Sequence, residues 1–346
     1  MPFSPLPSDL GPLRAHDTLE RLVVDGEAVR TESGSRTYPV REGLIFMGYA
    51  VDDEAEIRET MEEERTWQGT PEHVERDEEF LRSSAPKAVD VVNLLRRLTG
   101  RREGLRALEL GSGSGWVSWL LAEAGFDTWL CDFEANSLYS GWIYEHRRLQ
   151  PGRRIVADAR YAPFADESFD VVLLKEFAHH VADLGQLFGE ANRVLRMGGI
   201  LAVVDPTRNV KTAIYERRHP DPHKGHHITW ADRYLQAARR AGFQKRWLSY
   251  TYHSDPGRSI VRSLQERAAR NVAGLRHNRS IFTAVHARVL GNASMVYVGE
   301  KQRAASAAAR PELRQIDPAT LQLAAADISA WSGCRALVAD AARQLV

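Results

Sequence analysis

Residues 107–116 read ALELGSGSGW, an apolar run followed by three alternating glycines. The apolar run is typical of a buried parallel strand, and glycine at every second position lets a ligand approach the backbone closely. A dinucleotide-binding fingerprint places its third glycine at position 116, where this sequence has Trp116. The spacing therefore favours S-adenosylmethionine over NAD, although a plain strand-to-helix turn stays open for this loop taken alone.

Strand and helix patterns alternate from residue 105 onward, and this predicts a Rossmann-like α/β fold with helices on both faces of the sheet. Apolar runs predict parallel strands at 105–110, 127–131, 154–157, 169–174 and 199–204. Later strands near 247–252 and at 293–298 would complete a seven-stranded, mostly parallel sheet. Helices are expected at 84–100, 116–124, 184–196 and 229–240, the last with Thr229 as its cap.

The composition is that of an ordinary folded protein. The chain has 346 residues and 43% hydrophobic content, enough for a normal core. Its 46 basic and 46 acidic residues balance, so no overall field attracts it to nucleic acid or to an anionic membrane. Two cysteines are too few for a disulfide framework or a four-cysteine zinc site. Because no signal peptide or membrane-spanning run is visible, a cytoplasmic protein is expected.

Six motifs in a fixed order carry a family resemblance. They are LELGSGSG at 108–115, Asp132 after the second strand, ADA at 157–159, PFADESFDVV at 163–172, His179-His180, and RVLRMGGIL at 193–201. Together they resemble the class I S-adenosylmethionine-dependent methyltransferases, closest to the group that includes ubiquinone and menaquinone biosynthesis enzymes. The resemblance implies methyl transfer from S-adenosylmethionine by in-line displacement.

The resemblance also implies which residues contact the cofactor. It assigns Asp132 to the ribose hydroxyls, Asp158 and the Ala159 N–H to the adenine edge, Phe133 to the adenine face, and Glu109 to the methionine moiety. The complete implied set is Glu109, Gly111, Ser112, Gly113, Gly115, Asp132, Phe133, Asp158, Ala159 and Lys175. An aspartate at a strand end is also often only a helix cap or turn former, and that alternative stays open for Asp132 and Asp158.

The exit of the fourth strand supplies the candidate base. Methyl transfer needs a nucleophile in line with the methyl group and, for an O or N nucleophile, a group that removes a proton. In this fold the segment from Lys175 to His180 lies beside the sulfonium. His179 or His180 is the first candidate for the base and Glu176 the second. A structural role stays open for the histidines, since paired histidines here also occur as packing and helix-start residues.

A second histidine group follows the fifth strand and consists of His219, His223, His226 and His227. Spacings of three and four residues can chelate a metal, but two prolines and a glycine argue against a helix that presents these side chains on one face. The segment is therefore interpreted as a substrate loop or proton shuttle, and no metal site is predicted.

Four segments are predicted along the chain: a small β unit at 1–50, a helical lid or linker at 51–100, the methyltransferase domain at 101–301 and an Ala-rich helical tail at 302–346. The end of the first segment resembles the closing strands of the zinc-ribbon module that precedes many bacterial methyltransferases, without its metal-binding cysteines; an unrelated hairpin is equally open. The expected partner is a small-molecule methyl acceptor with an O, C or N nucleophile. RNA methylation, or S-adenosylmethionine binding without methyl transfer, are the alternatives.

Overall fold

The computed structural model describes residues 6–7, 9–26, 28–50, 70–135, 138, 152–210, 213–214, 227–252, 293–305, 310–320 and 330–346. The first part of the predicted lid or linker, 51–69, lies outside these ranges, as do three members of the second histidine group: His219, His223 and His226.

Strands and helices alternate through the middle of the chain. The strands are β1 Leu22–Asp25, β2 Ala28–Thr31, β3 Thr37–Arg41, β4 Leu44–Phe46, β5 Gly48–Ala50, β6 Arg106–Leu110, β7 Asp127–Asp132, β8 Arg154–Val156, β9 Phe169–Lys175, β10 Leu195–Pro206, β11 Phe243–Tyr252, β12 Ala293–Lys301 and β13 Leu313–Gln315. The α-helices are α1 Pro71–Leu98, α2 Trp116–Glu123, α3 Leu184–Val194, α4 Ala231–Arg240 and α5 Ser332–Ala342. Short 3₁₀ turns occupy Ala159–Tyr161, Ala178–His180 and Pro318–Thr320.

One large sheet organises these elements, in the strand order β1-β2-β3-β4-β8-β7-β6-β9-β10-β12-β11. The strands from β4 to β10 in this order run parallel, and β12 is antiparallel to both of its neighbours. The α/β class with a mostly parallel sheet is therefore confirmed. The predicted number of seven strands is too low, because the sheet has 11 strands within the described ranges alone. The seven expected strands form one contiguous block from β8 to β11.

The four additional strands come from the N-terminal segment. β4 pairs in parallel with β8, with Ile45 opposite Ile155, and β3 to β1 continue the sheet outward as an antiparallel meander. All three residues of β4 are buried, as expected for a short continuous apolar run that is covered on both faces. The segment predicted as a separate β unit is thus hydrogen-bonded into the main sheet.

Helix α1 begins earlier than the sequence predicts. It starts at Pro71 rather than near residue 84 and runs as one helix to Leu98. The Thr70 side chain accepts a hydrogen bond from the His73 N–H (3.2 Å), and proline suits the first turn because its missing N–H would have no helical partner there. The second half of α1 packs its apolar side against α2 and α5.

The start of helix α4 also differs from the sequence prediction. The sequence predicts Thr229 as its cap, whereas the helix begins at Ala231 with Trp230 in the cap position and no side-chain cap. The Thr229 carbonyl instead accepts a hydrogen bond from the Arg208 N–H (2.9 Å), which ties this turn to the end of β10.

The C-terminal segment contains a strand as well as a helix. β13 pairs antiparallel with β5, and α5 buries Cys334, Val338 and Ala341 in the core beneath α1. Arg310 donates to the carbonyls of Tyr161 (3.0 Å) and Ala162 (3.1 Å) and to Glu190 (2.8 Å). These contacts hold the segment against the central sheet. Among the described residues, none of the helices is both long and apolar enough to cross a membrane.

Candidate active site

The loop between β6 and α2 has two tightly packed glycines and one open glycine. A Cβ at Gly111 would collide with the ring of Phe177, and one at Gly115 would collide with Leu130. Gly113 also has a positive φ, of +50°, but a Cβ there would meet nothing within 4 Å. The middle of the loop therefore borders open space, where a ligand can approach the backbone.

Ser112 adds an unsatisfied polar group to this loop. Its side chain is buried, yet its Oγ has no hydrogen-bond partner among the described residues. Buried hydroxyls are normally paired, because an unpaired one forfeits its hydrogen bonds with water. An unpaired hydroxyl beside an open glycine is the arrangement expected of a loop that hydrogen-bonds to a bound ligand.

Asp132 ties this loop to the next strand. It ends β7, and its Oδ2 accepts a hydrogen bond from the Gly113 N–H (2.8 Å) while its Oδ1 accepts one from the Glu134 N–H (3.0 Å). The following residue, Phe133, is half-buried and packs against a small apolar cluster that includes Tyr49 of β5 and Ile316 after β13. Residues of the N- and C-terminal segments thus line the side of the site where the family resemblance places the adenine.

Asp158 follows β8 and is engaged by its own neighbours. Its carboxylate accepts hydrogen bonds from the Arg160 backbone N–H (2.9 Å) and from the Arg160 guanidinium (2.6 Å), which caps the turn at Ala159–Tyr161. The Asp158 N–H donates to the Gly48 carbonyl (3.0 Å) in β5. In this structure Asp158 therefore caps the turn, which is the alternative to adenine binding that the sequence left open. Ala159 is buried beside it.

Glu109 is a buried carboxyl beneath the glycine loop. The Ser118 hydroxyl of α2 donates to its Oε2 (2.5 Å). Burial raises the pKa of Glu109 to about 7, while the hydrogen bond from Ser118 and the positive charge of Lys175 act in the opposite direction. The protonation of Glu109 therefore changes near neutral pH.

Lys175 places a positive charge between two aromatic rings at the end of β9. Its Nζ lies 4.8 Å from the ring centroid of Trp116 and 5.1 Å from that of Phe80, and 2.9 Å from the Glu176 carboxylate. Cations are attracted to the negative face of an aromatic ring. Trp116, at the position where a dinucleotide fingerprint has glycine, thus forms a cation-binding wall with Phe80 of α1.

His179 belongs to a buried chain of polar side chains. Its Nδ1 lies 3.0 Å from Oδ1 of Asp205 at the end of β10, and the Tyr234 hydroxyl of α4 donates to Oδ2 of the same carboxylate (2.6 Å). Asp205 is completely buried. Burial raises the pKa of Asp205, and the hydrogen bonds from His179 and Tyr234 partly offset that rise.

The two other histidines near this chain are arranged differently. His180 is exposed, and its ring centroid is 4.2 Å from that of His179. The His227 N–H donates to the His179 carbonyl (2.5 Å), so the one described member of the second histidine group lies beside the first. Within the described ranges, no group of three or more His, Cys, Asp or Glu side chains is arranged to hold a metal ion.

The strand order brings these groups to one rim. The carboxyl ends of parallel strands lie at the same edge of a sheet, and β6 is the direct neighbour of both β7 and β9. The Phe177 ring packs directly on Gly111, so the segment that carries His179 adjoins the glycine loop. The rim therefore combines an open nucleoside-type cradle with a buried histidine–carboxylate pair.

Residues 108–203 match the family model described as a methyltransferase domain. This chain contains a class I S-adenosylmethionine-dependent methyltransferase domain.

Two curated relatives resemble the methyltransferase domain in sequence. Demethylmenaquinone methyltransferase of Beutenbergia cavernae is 38% identical over 107 residues, which are 31% of this chain and 42% of that protein. Ubiquinone biosynthesis O-methyltransferase of a Caulobacter species is 30% identical over 110 residues, which are 32% of this chain and 44% of that protein. The chain thus spans less than half the length of these relatives.

One solved structure aligns with a larger part of the chain. It is phosphoethanolamine N-methyltransferase 2 of Haemonchus contortus in complex with S-adenosyl-L-methionine, with 16% identity and a TM-score of 0.49. The match covers 71% of this chain and 60% of that one.

Sequence reasoning found part of the rim of the methyltransferase domain and missed the rest. Asp205 was visible as another aspartate at a strand end, but its partnership with His179 joins residues 26 positions apart. Tyr234 and Phe80 lie on helices whose orientation the sequence does not define. Tyr49 lies in the segment expected to form a separate unit. Its place as a third aspartate at a strand end, after Asp132 and Asp158, was the signal that could have found Asp205.

Proposed function

We propose that this protein transfers the methyl group of S-adenosylmethionine to a small-molecule acceptor at an O, C or N nucleophile. The observation that carries the proposal is the buried His179–Asp205–Tyr234 chain at the rim beside the glycine loop. A histidine held by a buried carboxylate, next to a loop shaped for a nucleoside, suits a reaction that removes a proton from the acceptor as the methyl group moves.

The residues present fit the cofactor. S-adenosylmethionine supplies a methyl group that its sulfonium already activates, so the protein must mainly bind and orient. The orphaned Ser112 hydroxyl and the open backbone at Gly113 are groups that such a ligand would satisfy. Gly111 and Gly115 keep the loop in the backbone conformation that allows this approach.

The carboxylates beside this loop would define the orientation of the cofactor. Asp132, already hydrogen-bonded to the Gly113 N–H, would accept from the ribose hydroxyls. Asp158 and the Ala159 N–H would meet the adenine edge, with Phe133 over its face. For Asp158 this requires Arg160 to share the carboxylate or to move aside.

Glu109 and Lys175 would act on the methionine end of the cofactor. They lie beneath and beside the glycine loop, and Lys175 is held between the rings of Trp116 and Phe80. A carboxylate and an ammonium there are complementary to the ammonium and carboxylate of an amino acid.

The Asp205 carboxylate would orient His179 for proton removal. With Nδ1–H donating to Asp205, the Nε2 atom is the basic nitrogen of the imidazole. Asp205 would then stabilise the imidazolium that forms, while the Tyr234 hydroxyl keeps the carboxylate in place. Glu176, which pairs with Lys175, and the exposed His180 are the remaining candidates for the base.

Two observations support a small-molecule acceptor. The relatives described above act in menaquinone and ubiquinone chemistry, as their names state. The chain carries 46 basic and 46 acidic residues, a balance that lacks the positive excess typical of proteins that bind RNA.

The test is a measurement of S-adenosylhomocysteine released from S-adenosylmethionine across a panel of phenols, quinols, amines and rRNA. We expect turnover with at least one small-molecule class and none with rRNA. Turnover with rRNA alone would replace this proposal by RNA methylation. Saturable cofactor binding without product from any acceptor would favour a binding protein that does not methylate.

A further inference from the structure

A second cleft lies at the opposite end of the sheet from the candidate active site. It has a volume of about 560 Å³ and is formed between helix α4 and the strands β11 and β12. Phe243, which lines it, pairs with Lys301 at the far end of β12, whereas Ser294 at the near end pairs with Pro206 at the rim. The cleft is therefore separate from the cofactor rim.

The floor of the cleft is apolar apart from one hydroxyl. Leu235, Phe243 and Tyr297 form this floor. Tyr297 is only 2% exposed, and its hydroxyl makes no hydrogen bond among the described residues. Burial alone raises the pKa of this phenol, so it remains a neutral O–H donor at physiological pH. Since Tyr297 lines the cleft and its hydroxyl has no acceptor among the described residues, this hydroxyl can donate to a ligand that lies there.

Gly299 makes room for this hydroxyl. It lies two residues from Tyr297 on β12 and therefore on the same face of the sheet. A Cβ at Gly299 would collide with the Tyr297 hydroxyl. The missing side chain thus leaves the space that the Tyr297 hydroxyl occupies, so the ring lies flat along the floor of the cleft.

The rim of the cleft is positively charged. Lys245 pairs directly with Gly299 across β11 and β12, so its side chain rises on the same face as Tyr297. Arg239 at the end of α4 and Arg303 after β12 complete the rim. Arg239 and Lys245 are exposed and make no ion pair with any carboxylate in the described part of the chain.

We propose that this cleft binds a small organic carboxylate with an apolar body, such as a medium-chain fatty acid or an aryl carboxylate. The apolar part lies on Leu235 and Phe243. The carboxylate accepts a hydrogen bond from Tyr297 and faces the positive charges of Arg239 and Lys245. The site goes beyond the proposed methyl transfer and does not depend on it.

The test uses the full-length protein and isothermal titration with octanoate, octanol and inorganic phosphate. We expect saturable binding of octanoate and at least about tenfold weaker binding of the other two, because each lacks either the charge or the apolar body. Equal binding of octanol, or no saturable binding of octanoate, would overturn the proposal.

Two variants with a matched control locate the binding. Tyr297→Phe is expected to weaken octanoate binding about tenfold, as for a lost hydrogen bond to a charged group. It should leave the free energy of unfolding unchanged, because the hydroxyl has no partner to lose. Arg239→Gln should weaken binding about threefold, as for an exposed charge, while Arg240→Gln on the same helix should have no effect. Octanoate binding that is unaltered by Tyr297→Phe would place the ligand elsewhere and refute the proposal.

Discussion

The glycine-loop half of the candidate active site and its histidine half differ in how their polar groups are satisfied. In the first half the Ser112 hydroxyl has no partner among the described residues, and Gly113 borders open space. In the second half His179, Asp205 and Tyr234 satisfy one another at 3.0 Å and 2.6 Å inside the protein. Under the proposed function the first half would gain its partners from the cofactor, whereas the polar groups of the second half already pair with one another within the protein.

This difference separates binding from chemistry. A cradle that keeps unsatisfied groups gains their hydrogen bonds only when the cofactor binds, which adds to affinity. A base whose orientation is already defined loses little entropy during the reaction, which lowers the barrier. Substitutions in the two halves are therefore expected to affect different measurements.

The largest effect is expected at His179. His179→Ala should lower kcat by about 10²- to 10⁴-fold, the usual contribution of a general base, with little change in the affinity for S-adenosylmethionine. Stopped assays of S-adenosylhomocysteine and cofactor titrations measure the two quantities. His180→Ala is the matched control, since His180 is exposed, and should cost much less. Equal losses in both variants would show that the Asp205-linked ring is not the base.

Glu109→Gln tests the buried carboxyl beneath the loop. Burial raises the pKa of Glu109 from 4.5 to about 7. As the pH rises between these two values, Glu109 loses its proton in the unfolded chain but keeps it in the folded protein. The free energy of unfolding of the wild type therefore falls over this interval. Glutamine does not titrate. The free energy of unfolding of the variant, relative to wild type, should therefore improve by about 3 kcal/mol between pH of about 4.5 and about 8. Urea denaturation at the two pH values measures it, and a difference independent of pH would contradict the raised pKa.

Asp132→Ala tests the cradle itself. We expect S-adenosylmethionine to bind about 1.5 to 3 kcal/mol more weakly, the range for hydrogen bonds to a charged group, with kcat at saturation much less affected. Calorimetry gives the affinity directly. An unchanged affinity in a folded variant would exclude the assignment of Asp132 to the ribose.

The smallest effects come from single hydroxyls and compare the halves most directly. Tyr234→Phe removes a satisfied donor and should lower the free energy of unfolding by about 1 to 2 kcal/mol, because Asp205 stays buried with one partner fewer. Ser112→Ala removes an unpaired hydroxyl and should leave unfolding unchanged while it weakens cofactor binding by about 1 kcal/mol. If Ser112→Ala lowers the free energy of unfolding, or Tyr234→Phe does not, then the glycine-loop half and the histidine half do not differ in how their polar groups are satisfied.

The sequence predicted the parts of the fold that depend on local pattern. The apolar runs of β6, β7 and β9, and the glycines between β6 and α2, are contiguous in sequence, and the structure has them where they were expected. The placement of β4 beside β8 depends on a pairing between residues 45 and 155, which no local pattern reports.

The candidate site shows the same limit. The glycine loop, Asp132 and His179 could be named because each stands in a recognisable local motif. The link from His179 through Asp205 to Tyr234 joins two strand ends and a helix, so it depends on tertiary packing alone. For Trp116 the sequence indicates only that this position lacks a glycine, whereas in the structure its ring lies beside the Lys175 ammonium.

Strand β4 covers what would otherwise be an open border of the sheet. Ile155 and Val156 of β8 are completely buried, and an uncovered strand of this kind is a template for pairing with another chain. The edge of the sheet is formed instead by β1, a strand of 4 residues. Its Asp25 makes an ion pair with Arg30 of β2 (3.1 Å). Short edge strands with charged residues resist hydrogen bonding to a strand of another chain. A fragment limited to 108–203 would leave β8 bare, and we expect it to aggregate when it is excised from the rest of the chain.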